Sequence, residues 1–485
     1  MESQKPVPEI KAVTCLLVFT FAIYITGCES DKTPPAAVNS PAEVNSPAEV
    51  NSPAEELSDH EVSKIIGKVN ASGTITDEQA ESLSKVKILN LNGLTSITNE
   101  QAESLIHDDL FFKGVQELHL NGLTSINDVQ AESLGMIKML HLNGLTSITN
   151  EQAESLSIGG QSYDGLELNG LTSITNVQAE SLGKIHELWL NGLTSINDEQ
   201  AKGLADSASN LQLNGLTSLT DEQVEILSNY RAGRVLGLDG LTSITDKQAE
   251  SLRKVNGIAL NGLISITDKQ AASLSKDRRL DGVELDGLTS LTDAQAESLS
   301  KIESLSLSGL TTITDEQAES LSKVESLSLS GLTTITDEQV ESLSKVKEYL
   351  TLNGLTSITN VQAESLGKIH ELWLNGLTSI NDEQAKGLAD SASNLQLNGL
   401  TSLTDEQVEI LSNYRAGRVL GLDGLTSITD KQAESLSKFR GHFFESLSLS
   451  GLTSITDEQA KNLSRVDDLY LNGLTSITDQ QAESL

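Results

Sequence analysis

The sequence predicts an α/β solenoid, with a parallel sheet of short strands on one side and short helices on the other. Three observations carry this. From about residue 73 onward, a phrase close to GLTSITDEQAESLSK followed by a short LxL stretch recurs about seventeen times. The period is short: Gly309 to Gly331 and Gly354 to Gly376 are each 22 residues apart. Within each copy the apolar spacing switches from helical to alternating, which marks one supersecondary unit stacking on its own copies.

The copy from Thr314 to Ile335 shows the logic of each element. Thr314-Asp315-Glu316-Gln317 reads as a capping box, in which the Thr hydroxyl accepts from the N3 amide and the Gln side chain reaches back to the cap. Asp315 and Glu316 stand in the first turn, where the helix dipole favours anions, and Lys323 is expected in the last turn. Such a cap stabilises its helix by about 1 kcal/mol. Ala318, Leu321 and Val324 follow at steps of three and form one apolar stripe. Leu327 and Leu329 then alternate with Ser326, Ser328 and Ser330, the signature of a strand with one buried face. Gly331 is expected to permit a turn, and Leu332 and Ile335 return to the interior before Thr336 caps the next helix. Strands prefer about 4.8 Å between neighbours and helices about 8–10 Å, so strands should line the concave face and helices the convex face. Seventeen rungs at strand spacing span an arc of about 80 Å.

The spacing LxxLxL, as in Val324-x-x-Leu327-x-Leu329, resembles the leucine-rich-repeat family from about Ser58 to the end of the sequence. The resemblance implies a leucine-rich-repeat solenoid over 58–485. Family members carry an Asn three residues after the second strand leucine. Leu332 and its equivalents occupy that place here, so the buried Asn ladder is expected to be missing.

The front of the chain has a different composition. A short polar start precedes an apolar run of 14 residues, Ala12 to Ile25, and then Ile25-Thr26-Gly27-Cys28. That run suits a signal h-region and is short for a membrane-spanning helix. Ile-Thr-Gly-Cys resembles the lipobox of bacterial lipoproteins, which implies a signal peptide over 1–27 and lipid attachment at Cys28. A bacterial envelope location, periplasmic or surface-exposed, follows from the same resemblance. The other cysteine, Cys15, lies in the h-region, so a mature chain would hold neither a disulfide partner nor a thiolate cluster. Residues 28–57 are rich in Pro, Ala, Ser and Glu, with Asn-Ser-Pro-Ala-Glu recurring at Asn39, Asn45 and Asn51. They read as an extended tether of about 3 Å per residue.

Two irregularities stand out. Residues Leu168–Leu252 recur unchanged at Leu352–Leu436, an offset of 184, so a block of the array has been duplicated. The sequence also stops inside a helix, at Gln481-Ala482-Glu483-Ser484-Leu485, where solenoids usually carry a polar cap repeat. This suggests end-to-end self-association, or a fragment.

Nothing in the motifs predicts an enzyme: nucleophile elbow, phosphate loop, His-Glu zinc helix and calcium-loop spacings are all missing. No cofactor is expected. The repeated carboxylates of Asp-Glu-Gln-Ala-Glu read as equivalent solvated groups facing outward. With 33 Lys and Arg against 69 Asp and Glu, the net charge of −36 disfavours a nucleic-acid partner.

The informative column lies between the two strand leucines, where the copies differ from one another: Asn90, His119, His141, Glu167, Trp189, Gln212, Gly237, Ala259 and onward to Trp373 and Tyr470. A constant scaffold with one variable column is the pattern of a recognition surface for a protein or glycan partner. Trp189, Trp373 and Tyr470 are the expected anchors, with His119, His141 and Glu167 forming a polar stripe beside them. Those last three sit on consecutive rungs. Their outer members are about 10 Å apart, so they are not expected to close on one zinc. All mature phenylalanines fall in two enlarged connections, Phe111 and Phe112, then Phe439, Phe443 and Phe444. These connections are expected to fold their aromatics back onto their own repeat. The alternative function is a structural envelope or surface-layer spacer without a specific ligand.

Overall fold

The computed structural model describes residues 58–106, 114–157, 165–205, 209–229, 235–276, 282–389, 394–413, 419–438 and 446–485. The signal segment, Cys28, the tether and the five phenylalanines named above lie outside them. The chain divides into two units, Met1–Ile65 and Ile66–Leu485. Of the first, residues 58–65 are described, and 59–65 belong to the opening helix, Asp59–Ser72.

The second unit is the repeat array. Seventeen three-residue strands, from Ile88–Asn90 to Asp468–Tyr470, pair in chain order into one sheet, every pair parallel and in register. Between them run helices of seven or eight residues, each packed on the helix before and after it, and a six-residue helix, Asp479–Ser484, follows the last strand. This is the architecture of a leucine-rich-repeat solenoid. The core is a stack of identical layers: Ala318, Leu321, Val324, Leu327, Leu329 and Leu332 of one rung are all at most 1% exposed. Each Thr or Asn cap accepts from the N3 amide, and the N3 Gln returns the bond, as at Thr314/Gln317 and Asn127/Gln130.

Stacking uses polar side chains in ways that correct the sequence reading. The N3 glutamines do not face outward. Gln339 is 8% exposed; its Oε1 accepts from Thr336 N at 3.0 Å, while its Nε2 donates to the Ile313 carbonyl of the preceding rung at 2.9 Å. The same cross-rung bond recurs from Gln101, which donates to Ile75, to Gln481, which donates to Ile455. Each layer thus satisfies the carbonyl of the residue just before the preceding layer's cap. Glu at this position would supply the acceptor without the donor. The helix-side Asp is also more than a solvated charge: the Thr245 cap hydroxyl donates to Asp221 of the rung before at 2.7 Å, and Thr359 does the same to Asp337 at 3.1 Å.

The family's Asn position holds buried leucines such as Leu332, as expected. A different amide ladder exists, through the residue just before the recurring glycine in most copies. Asn121 N donates to Asn92 Oδ1 at 3.1 Å, Asn143 N to Asn121 at 2.9 Å and Asn169 N to Asn143 at 2.9 Å. It continues through Asn191, Asn214, Asp239, Asn261 and Asp286. Asn70, on the opening helix, starts the ladder by accepting from Gly93 N at 2.7 Å. Ser308 donates its amide to Asp286 at 2.7 Å, but the Ser308 and Ser330 side chains are too short to hand the ladder on. It resumes where Asn375 N meets Asn353 at 2.9 Å.

Gly331 stands in the expected turn, which Leu332 N closes by donating to Leu329 O at 3.1 Å, but its φ is one that other residues adopt, since Gly73 alone among the described glycines has a positive φ. A Cβ at Gly331 would overlap the Ser308 carbonyl and lie 2.6 Å from the Leu310 carbonyl, so only glycine lets adjacent rungs approach this closely. Lys323 also departs from expectation. The helix ends at Leu321, and Lys323 reaches across to Glu297 of the previous rung at 2.9 Å.

At the last strand the layer is open. Leu469, Leu471 and Leu474, whose counterparts elsewhere are buried, are half-exposed and line an apolar groove with Leu463, Ile477 and Leu485. Among the described residues, no helix is long and apolar enough to cross a membrane.

Candidate functional site

Because side chains alternate along a strand, the first and third residues of each three-residue strand share a face, and the residue between them, leucine in all but Ile258 and Val283, enters the core. Register pairing then aligns the third residues into a column: Asn90 beside His119, His119 beside His141, His141 beside Glu167 and Glu167 beside Trp189. A second column of first residues runs next to it on the same face, including Glu117, Met139, Gly165 and Tyr349. The alternation rule already implied this second column, yet reading one residue per copy overlooks it.

The columns pack along the sheet, so the expected anchors are half-buried and not open. Trp189 lies over Gly165, where a Cβ would come within 3.2 Å of its ring. Trp373 meets Tyr349 edge-to-face, ring centroids 5.1 Å apart at 80°. The two tryptophans therefore differ, although they occupy duplicated sequence. The duplication begins at Leu168 and Leu352, just after the strands Gly165–Glu167 and Tyr349–Thr351 on which the two rings rest. Trp373 Nε1 and the neighbouring Thr351 Oγ1 are buried without hydrogen-bond partners. Tyr470 stands half-exposed on the last strand.

The polar stripe is tightly organised. The His119 and His141 rings stack, centroids 3.8 Å apart and 8° from parallel. His119 Nε2 lies 2.8 Å from Glu117 Oε1, and His141 Nδ1 lies 2.8 Å from Glu167 Oε2. Asn143 Nδ2 also donates to Glu167, at 2.8 Å. Burial and the neighbouring His141 charge lower the His119 pKa, outweighing the opposing pull of Glu117. Burial pushes Glu167 upward, but hydrogen bonds from His141 and Asn143, with the histidine charges, outweigh it and hold the carboxyl below its ordinary value. The structure thus brings His119, His141 and Glu167 together as expected, and adds Glu117, which the sequence reading did not name.

A second acidic region lies further along. Glu284 accepts from Asn261 Nδ2 at 3.0 Å, and burial, assisted by the charges of Asp286 and Asp239, raises its pKa. Burial raises Asp239 likewise, against hydrogen bonds from Asn261.

No family model matches the chain, and no curated protein sequence matches it. Solved structures that resemble it are repeat proteins. A TLR13 in complex with ssRNA13 aligns over 76% of this chain and 67% of its own, at 16% identity and a TM-score of 0.44. LegL7, a leucine-rich repeat-containing protein from Legionella pneumophila, aligns over 62% and 95% at 15% identity and a TM-score of 0.36. The internalin InlF from Listeria monocytogenes str. 4b F2365 aligns over 85% and 94% at 14% identity and a TM-score of 0.29. The fold stands on the chain's own rungs.

Proposed function

We propose that this chain is a non-enzymatic binding protein of a bacterial envelope, held to a membrane by lipid on Cys28, whose strand face recognises a protein or glycan. One observation carries the reading. Helix-side positions repeat because each has a stacking duty: Thr caps, Gln bridges rungs, and Gly admits the neighbouring carbonyls. The strand-face columns have no such shared duty, and there the rungs present Glu, His, Trp, Gln, Gly, Ser and Tyr in turn. Variation confined to one side of a uniform scaffold suits recognition by many rungs at once. Aromatics on that side, Trp189, Trp373 and Tyr470, supply large contact area at low entropic cost.

A pull-down from envelope extract tests this, with the full chain in detergent beside a Trp189→Ala/Trp373→Ala/Tyr470→Ala variant of matched circular dichroism. A partner held by the wild type and lost by the variant supports strand-face recognition. Equal capture moves the site elsewhere, and no capture by either favours a structural spacer. Detergent phase partitioning tests the anchor: Cys28→Ser should move the chain from the detergent to the aqueous phase. End-to-end self-association belongs to the same proposal, through the apolar groove lined by Leu469, Leu471 and Leu474. Leu469→Asp should lower the mass measured by light scattering if that contact forms.

A further inference from the structure

Two adjacent strands, Glu117–His119 and Met139–His141, bring three metal-binding atoms together. One ring nitrogen each of His119 and His141 and a carboxylate oxygen of Glu117 all lie within 4.8 Å of one another. Glu117 Oε1 is 2.8 Å from His119 Nε2 and 3.5 Å from His141 Nε2. The third ligand therefore comes from the same strand as His119, two residues earlier. The set spans two rungs, which removes the distance argument made above against His119, His141 and Glu167.

His141 is the decisive residue. It is 3% exposed, and its Nδ1 lies 2.8 Å from Glu167 Oε2, a carboxylate oxygen that accepts a hydrogen bond from it. A neutral imidazole with its proton on Nδ1 carries a lone pair on Nε2. That Nε2 is buried and has no hydrogen-bond partner. A buried lone pair 3.5 Å from a carboxylate oxygen is unfavourable unless a proton or a metal ion stands between them.

We infer that Glu117, His119 and His141 form a binding site for one borderline transition-metal ion, with zinc the best fit. Two imidazoles and one carboxylate select such ions over calcium or magnesium, which take all-oxygen shells. Glu167 holds His141 by its other ring nitrogen, the outer-shell carboxylate arrangement that fixes the tautomer and orientation of a metal-binding histidine. Tetrahedral bonds of about 2.1 Å place ligand atoms about 3.4 Å apart. The stacked rings reach this spacing when the His119 ring tilts so that the two Nε2 atoms converge on Glu117. The His119 side chain is 18% exposed, which leaves its ring one open side. The fourth position opens on the strand face, where water or a donor atom from a bound molecule completes the tetrahedron.

Titration of the EDTA-stripped full chain with Zn²⁺ by calorimetry, and with Co²⁺ by its visible tetrahedral bands, tests the site. The wild type should take up one equivalent of either ion. Glu117→Gln and His119→Ala should each lose it, with the metal-free circular dichroism of both unchanged. Glu167→Gln should keep the stoichiometry but weaken binding about 10–100-fold, as outer-shell changes do. His186→Ala/His370→Ala should bind as the wild type does. Absence of a stoichiometric equivalent in the wild type would overturn the proposal. Its retention by both Glu117→Gln and His119→Ala would do so as well, because the ion would then sit elsewhere.

Discussion

Gln339→Glu isolates the cross-rung bond from the cap it shares. The new carboxylate still accepts from Thr336 N, so the capping box survives. The Nε2 donor to Ile313 O, now at 2.9 Å, is replaced by an oxygen facing a carbonyl oxygen. An orphaned buried acceptor costs about 1–3 kcal/mol, and more when the replacing group is charged, so the variant should lose about 2–4 kcal/mol locally. At 1.36 kcal/mol per factor of ten, that is about 30- to 1,000-fold faster amide exchange in the affected layers. Hydrogen exchange with mass spectrometry is the suitable assay, because repeat arrays open in parts and a single global transition would average the effect. The deficit should also depend on pH. Once protonated, the introduced carboxyl donates its O–H to the Ile313 carbonyl, so its folded pKa lies above the unfolded value of about 4.3. The folded state then holds the proton more tightly, and the deficit, complete above the folded pKa, closes as pH falls through it toward the unfolded value. The exposed neighbour Glu338 provides the control, with Glu338→Gln expected within about 0.5 kcal/mol of wild type. Wild-type exchange rates for Gln339→Glu at neutral pH would refute the bridging role assigned to these glutamines.

Other outcomes follow from the same packing. Ser330→Asn should restore the interrupted ladder toward Asn353 and raise the urea midpoint, by about 0.5–1.5 kcal/mol in stability. Gly331→Ala should destabilise by about 1–3 kcal/mol, because its Cβ meets the Ser308 and Leu310 carbonyls, as a urea melt would register. Glu284→Gln should stabilise the array at neutral pH. The raised pKa of Glu284 means that its favourable contribution is complete below the unfolded value and is lost as pH rises through the folded one. The gain over wild type should therefore vanish near the ordinary carboxylate pKa of about 4 in paired urea melts.

What could be read from the sequence was what lies within one copy. Thr314 and Gln317 stand three apart and announce their cap; Leu327 and Leu329 announce a strand with one buried face. What escaped was whatever depends on the next rung. The second use of Gln317, donation to Leu291 O at 2.9 Å, joins residues 26 apart, and no local rule distinguishes it from a cap with a spare amide. The Asn ladder was sought three residues after the strand leucine, whereas Asn92, Asn121 and Asn143 carry it one residue after. Gly331 announced the turn it occupies, but its close approach to the carbonyls of the neighbouring layer leaves no trace in a single copy. At the candidate site, the column through His119, His141 and Glu167 was legible from alternation alone. Glu117 was not, because one residue per strand was taken as the whole face. The partial burial of Trp189 and Trp373 depends on Gly165 and Tyr349 of the neighbouring strands, and so on register.

Recognition by the strand face is the central claim, and affinity for the captured partner tests it most directly. The comparison is between the wild type, Trp189→Ala/Trp373→Ala/Tyr470→Ala and a helix-side Glu316→Lys/Glu338→Lys variant, measured by titration at fixed salt. Buried aromatic anchors are each worth about 2 kcal/mol or more, so the strand-face variant should bind at least about 100-fold more weakly, with the helix-side variant close to wild type. Full affinity in the strand-face variant, with the loss in the helix-side one, would contradict the account.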